Sequence, residues 1–65
     1  MRARLNGVLR DLPDGATVAD AVTALGAPTT GVAVAVDGEV VPRAAWDRPL
    51  REHARVEVIT AVQGG

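Results

Sequence analysis

The group in this chain best suited to chemistry is not a side chain. The sequence closes on TAVQGG, Thr60 to Gly65. Gly64 and Gly65 have no Cβ, so they can thread a channel too narrow for any other residue, and their backbone freedom lets them reach into another protein. No side chain crowds the terminal carboxyl. Its reference pKa of ~3.3–3.7 leaves it ionised at neutral pH, an oxygen nucleophile. Such a carboxylate can attack the α-phosphate of ATP to give an acyl-adenylate, a mixed anhydride. A sulfur nucleophile can then displace AMP and leave a thiocarboxylate on Gly65. Taken alone, a Gly-Gly end also reads as a plain disordered terminus. Here it directly follows an expected strand, so we expect a folded domain over 1–62 and a projecting tail over 63–65.

Nothing else in the chain supplies catalysis. There is no cysteine, which removes thiol chemistry, disulfides and cysteine-ligated zinc. One histidine, His53, cannot build a metal cluster, and we expect no bound metal or cofactor. No phosphate-cradling loop and no paired acid and base are visible. The domain is therefore expected to be the substrate of partner enzymes and not an enzyme. A formal net charge of −1 gives no basic footprint for nucleic acid. No apolar run approaches the ~20 residues of a membrane span. The start, MRARLNG, lacks the apolar core of a signal peptide, so a cytoplasmic location is expected. All seven basic residues are arginine. Codon bias explains that, and so does the advantage of carrying an activated acyl group on a chain without amine nucleophiles.

The elements that must hold the tail can be read from periodicity. RARLNGVLRDL is a hairpin, because Asn6-Gly7 suits a two-residue turn with both φ angles positive. Pairing Leu5 with Val8 puts Arg10 on the inward face beside Ala3, so either the second strand is bulged or Arg10 snorkels out at an edge. Thr17 is a candidate N-cap with Asp20 three residues on, a capping-box spacing. Val18, Val22 and Leu25, with Ala21, form one apolar helical face. Gly26 and Pro28 stop the helix. Val32 to Val36 are apolar on both faces, as in a strand between two covered surfaces. Asp37-Gly38 turns the chain into a short return strand, Glu39 to Val41, ended by Pro42. RAAWDRPLREHA is irregular with one short helical turn. RVEVITAV is the last strand, with Val56, Val58, Thr60 and Val62 on one face and Glu57, Ile59 and Ala61 on the other.

Sixty-five residues make one domain with a thin core. A helix of two to three turns cannot stand alone and must pack on a sheet. The compact arrangement is α+β: a mixed sheet of four to five strands packed on one main helix, with the first and last strands parallel at its centre. That is a β-grasp, although the element order also fits other small α+β folds.

Several stretches together resemble the ThiS family of ubiquitin-like sulfur carriers. They are NG after the first strand, ATVADAV at the helix start, VAVAVDGEVVPRAAW in the middle and VEVITAVQGG at the end. The resemblance implies a ubiquitin-like β-grasp with Gly65 as the site of thiocarboxylate formation, and Gly64 and Gln63 as the segment threaded into a partner's active site. It implies a ThiF-type adenylating enzyme that uses ATP and magnesium, and sulfur from a cysteine desulfurase, sometimes through a rhodanese-like protein. It also implies a ThiG-type thiazole synthase as the acceptor of that sulfur, in thiamin biosynthesis. One stretch departs from the pattern. The family has an Asp-Gly-Asp-like turn before the last strand, where this chain has EHAR, Glu52 to Arg55.

Other residues carry two readings. Ile59 and Ala61 either form a docking patch beside the tail or pack under the loop around Trp46. Arg43 is either a solvated arginine or a charge contact to the adenylating partner. Trp46 is expected in the core, and His53 in an exposed loop. Three alternatives stand beside the thiamin role: a sulfur carrier for molybdopterin or another product, which shares the tail chemistry; a non-catalytic β-grasp binding module, which needs no free Gly-Gly; and a modifier that forms isopeptides, which the tail permits.

Overall fold

The computed structural model describes residues 1–60. Strands β1 (Arg2–Leu5) and β2 (Val8–Asp11) lead into helix α1 (Val18–Ala24), followed by β3 (Val32–Val36), β4 (Glu39–Val40), a 3-10 turn (Arg43–Ala45) and β5 (Arg55–Thr60). The sheet runs β2-β1-β5-β3-β4. Only β1 and β5 are parallel, at the centre, and every other pair is antiparallel. This is the mixed sheet of four to five strands on one main helix that the sequence implies, with five strands among the described residues.

The hairpin forms in regular register, with Leu5 opposite Val8 and Ala3 opposite Arg10. Asn6 and Gly7 take φ of 50° and 85°, the paired positive values that a two-residue hairpin turn needs. No bulge relieves Arg10. Its side chain extends along the sheet edge, and Nη1 donates to the Ala24 carbonyl at 2.7 Å. That carbonyl belongs to the last turn of α1, where a cation is favoured by the helix dipole. Arg10 thus snorkels and serves as a C-terminal cap.

Helix α1 starts as the sequence requires. The Thr17 hydroxyl accepts from the Asp20 N–H at 3.2 Å, and the Asp20 carboxylate accepts from the Thr17 N–H at 2.9 Å. Two more N–H groups of the first turn have no partner within the helix. Val18 donates to the Arg48 carbonyl and Ala19 to the Trp46 carbonyl, so the irregular segment after β4 closes the helix start. Val18, Ala21 and Val22 are buried, and Leu25 is half-buried.

The core lies between α1 and one face of the sheet. It contains Ala3, Leu5, Val34, Val56 and Val58 from the strands. Leu12, Ala16, Val41, Trp46, Leu50 and Ala54 join them from connecting segments. Trp46 is buried, as expected, and its indole N–H donates to the Val41 carbonyl at 3.2 Å.

The expectation for β3 needs correction. Its two faces are not both covered: Val34 is buried, while Ala33 is exposed and Ala35 only half-buried. Among the described residues there is one α-helix, and it lies on the other side. Small alanines at 33 and 35 reflect an open face of low relief, not a second packed layer. The return strand is also one residue shorter than expected, although the Val41 N–H still bonds the Val34 carbonyl.

The turn that departs from the family pattern closes with a non-glycine residue. His53 adopts φ of 63°, in the left-handed region that glycine occupies at lowest cost. It is held there by its own N–H, which donates to the Arg2 carbonyl at 2.7 Å.

Candidate functional site

The last described strand, β5, leads directly into residues 61–65, so its geometry sets how the chain approaches the terminal glycines. β5 alternates valines with polar or exposed residues, and the two-residue period of a strand separates them. Val56 and Val58 enter the core, while Arg55, Glu57 and Ile59 face away from it. Ile59 is 67% exposed and does not pack under the Trp46 loop, because Trp46 lies in the core on the other side of the sheet. Register places Ala33 opposite Ile59, and Ala35 between Glu57 and Val40. Val40 is itself exposed. Ile59, Ala33, Ala35 and Val40 therefore share one apolar region on the open face, running to the end of β5.

The end of β5 is held differently on its two sides. Toward β3 the ladder continues as far as Val32 opposite Thr60. Toward β1 it stops early, because β1 turns at Asn6. The Asn6 N–H donates to the Val56 carbonyl at 2.9 Å. Beyond that point the side chain replaces the main chain. Asn6 Oδ1 accepts from the Val58 N–H at 2.8 Å, and Nδ2 donates to the Val58 carbonyl at 3.3 Å. The carboxamide thereby imitates one more residue of a paired strand.

Arg43 works at the same end of the molecule. Its guanidinium donates to the Thr29 carbonyl and lies 4.8 Å from the centroid of the Trp46 ring, within cation–π range. Thr29 lies in the connection that delivers Val32, the partner of Thr60. Arg43 is exposed, yet its cation is fixed within the chain.

The beginning of β5 is tied by a carboxylate. Asp37, with φ of 51° in the β3–β4 turn, accepts from the Arg55 N–H at 3.0 Å and from Arg51 Nε at 3.0 Å. The Arg55 amide first, then the Arg51 guanidinium, hold its carboxyl below the usual carboxylate value.

Two further arginines mark the open face. Arg4 and Arg55 are register neighbours on β1 and β5, an arrangement of like charges that is unfavourable in isolation. Among the described residues neither forms an ion pair, whereas Arg2 on the same face pairs with Asp11 at 3.1 Å. Arg4 and Arg55 border a shallow concavity with Gly7, Val56 and Glu57. The open face is thus apolar toward β4 and the end of β5, and basic toward β1.

Of the site residues expected from the sequence, Ile59 and Arg43 fall near the end of β5 that leads to the tail, while Ala61, Gln63, Gly64 and Gly65 lie outside the described residues. The boundary expected at residue 62 lies outside them too. The described residues contain no group of three or more side chains able to hold a metal ion. Sequence reading missed the role of Asn6. The Asn-Gly pair identified the turn, but that signal concerns backbone angles and does not reveal where the carboxamide points.

The ThiS family model matches residues 3–65. A crystal structure of the thiamine biosynthesis protein ThiS from Geobacter metallireducens has a similar fold. It shares 26% identity over the whole of both chains, with a TM-score of 0.76. No curated protein matches the chain.

Proposed function

Because the chain belongs to the ThiS family, we propose that it is a sulfur carrier of thiamin biosynthesis, working in the cytoplasm as a substrate of other enzymes. A ThiF-type enzyme, using ATP and magnesium, adenylates the carboxylate of Gly65. A cysteine desulfurase or a rhodanese-like protein supplies the sulfur as a persulfide, whose outer sulfur displaces AMP to give an acyl disulfide. A second thiol of a partner protein then attacks the partner-side sulfur, becomes part of a disulfide and releases the thiocarboxylate. The thiocarboxylate then gives its sulfur to a ThiG-type thiazole synthase. The observation that carries this reading is the extent of the family match, which includes both terminal glycines.

The division of labour follows from the fold. The globule contributes rigidity and a surface, and the tail contributes the reacting carboxyl. Gln63 and Gly64 thread into the partner, where a side chain larger than hydrogen at position 64 would collide with the channel. Ile59, on the open face, supports docking together with Ala61. An exposed apolar patch rimmed by charge suits that role. Arg43 enters as a cation already held in place by Thr29 and Trp46, so it loses little side-chain freedom on binding.

Intact-mass measurement after incubation with the ThiF-type enzyme, ATP, magnesium and a sulfur source tests the proposal. The expected product carries one sulfur in place of one oxygen at Gly65. Deleting Gly65, or adding an alanine after it, should abolish adenylation and leave thermal unfolding unchanged. Continued activation of either variant would contradict the reading.

A further inference from the structure

We propose that the Asn6 side chain is a positioning clamp that sets the end of β5, and with it the docking residue Ile59 and the base of the tail. The functional half of this proposal rests on the carrier reading; the structural half does not. β5 sits at the centre of the sheet, yet past Val56 it has no main-chain partner on the β1 side among the described residues. Asn6 satisfies both main-chain groups of Val58 through one carboxamide. Val58 stands immediately before Ile59, and two residues before the last described position. Without the clamp, those residues are held by β3 alone.

Asn6 does two separable things. Its backbone takes the positive φ that the hairpin turn requires, and its side chain bridges to β5. Glycine at position 6 keeps the first and removes the second. Aspartate keeps the turn and the acceptor for the Val58 N–H, but turns an oxygen toward the Val58 carbonyl, where a donor is required. Protonation of that carboxyl restores a donor.

Amide hydrogen exchange followed by NMR reads the clamp directly. In Asn6→Gly, exchange at Val58 should be about tenfold faster or more, as expected from two lost hydrogen bonds, with Val34 and Val22 changed much less. In Asn6→Asp, protection at Val58 should be low near neutral pH. It should recover, relative to the parent at the same pH, as the solution is acidified through the carboxylate range. The activation assay supplies the second readout. A loosened docking strand must be ordered on binding, so KM for the protein substrate should rise ~3–10-fold in Asn6→Gly while kcat is retained. Unchanged exchange at Val58 in Asn6→Gly overturns the clamp. Faster exchange with unchanged KM, or a parallel fall in kcat, removes its positioning role. If the parent itself is never activated, the carrier reading fails, and the exchange measurement still decides whether Asn6 holds the strand.

Discussion

Two sets of residues alternate along β5 and live in different surroundings. Val56 and Val58 lie in the core shared with α1 and Trp46, whereas Glu57 and Ile59 face away from it. The inward set makes the globule stable. The outward set adds little to stability, so its residues are available for recognition. One strand serves both purposes because its side chains point to opposite faces, and neither set has to compromise for the other.

The comparison breaks if the inward set proves dispensable. Leu5, fully buried beside Val56, is the sharpest case. Leu5→Ala should cost ~2–5 kcal/mol, in a domain whose total stability on size grounds is roughly 3–10 kcal/mol. Urea unfolding followed by Trp46 fluorescence measures it, and a loss under about 1 kcal/mol would mean that the core is not where the structure puts it. A smaller effect of opposite sign is expected at the turn before β5. His53→Gly relieves a left-handed φ at an exposed residue, and should raise stability by up to about 1 kcal/mol without altering activation. The two functions would then be separable by experiment as well as by geometry. Ile59→Ala sharpens the contrast from the outer side. Its unfolding free energy should move by less than ~0.5 kcal/mol, while KM for activation rises. A large stability loss there would place Ile59 with the inward set.

The last and smallest effect concerns pH. The carboxyl of Asp37 is held below the usual carboxylate range in the folded protein by the Arg55 amide and the Arg51 guanidinium. A lowered folded value means that its contribution is complete above the unfolded value, near 4, and is lost as pH falls through the folded one. The parent should therefore lose stability as pH falls below about 4, and Asp37→Asn should lose less over the same range. Unfolding midpoints at acidic and neutral pH decide the point. Asparagine suits this turn, since it tolerates positive φ before a glycine.

The elements with a clear period were legible in the sequence. The Asn6-Gly7 and Asp37-Gly38 turns, the Thr17 to Asp20 box and the alternating β5 all follow from short-range rules. The core contributed by connecting segments was not. Leu12, Leu50 and Ala54 are single apolar residues among polar neighbours, and nothing local distinguishes them from exposed ones. Only the folded chain, with Leu50 donating its N–H to the Ala16 carbonyl, shows why they are inside. β3 misled for a related reason. Alternating valine and alanine look equally apolar in sequence, although the alanines line an uncovered face. At the candidate site, the alternation of β5 set Ile59 apart from the valines but left its docked and packed readings open until its exposure was seen, while Asn6 required knowing which strand lies beside its turn.

The central parallel pairing of β1 with β5 has a consequence for how the molecule comes into being. Contacts between segments about fifty residues apart require a long loop to close before they contribute anything, and such topologies reach their native state more slowly than local ones. During synthesis the sheet lacks its middle until Arg55 to Thr60 have left the ribosome. A chain released before that point has no seat for β1 beside β3, and remains prey to proteolysis. Completion of the globule therefore waits on its last described strand, and a chain cut short before Arg55 lacks the centre of its sheet.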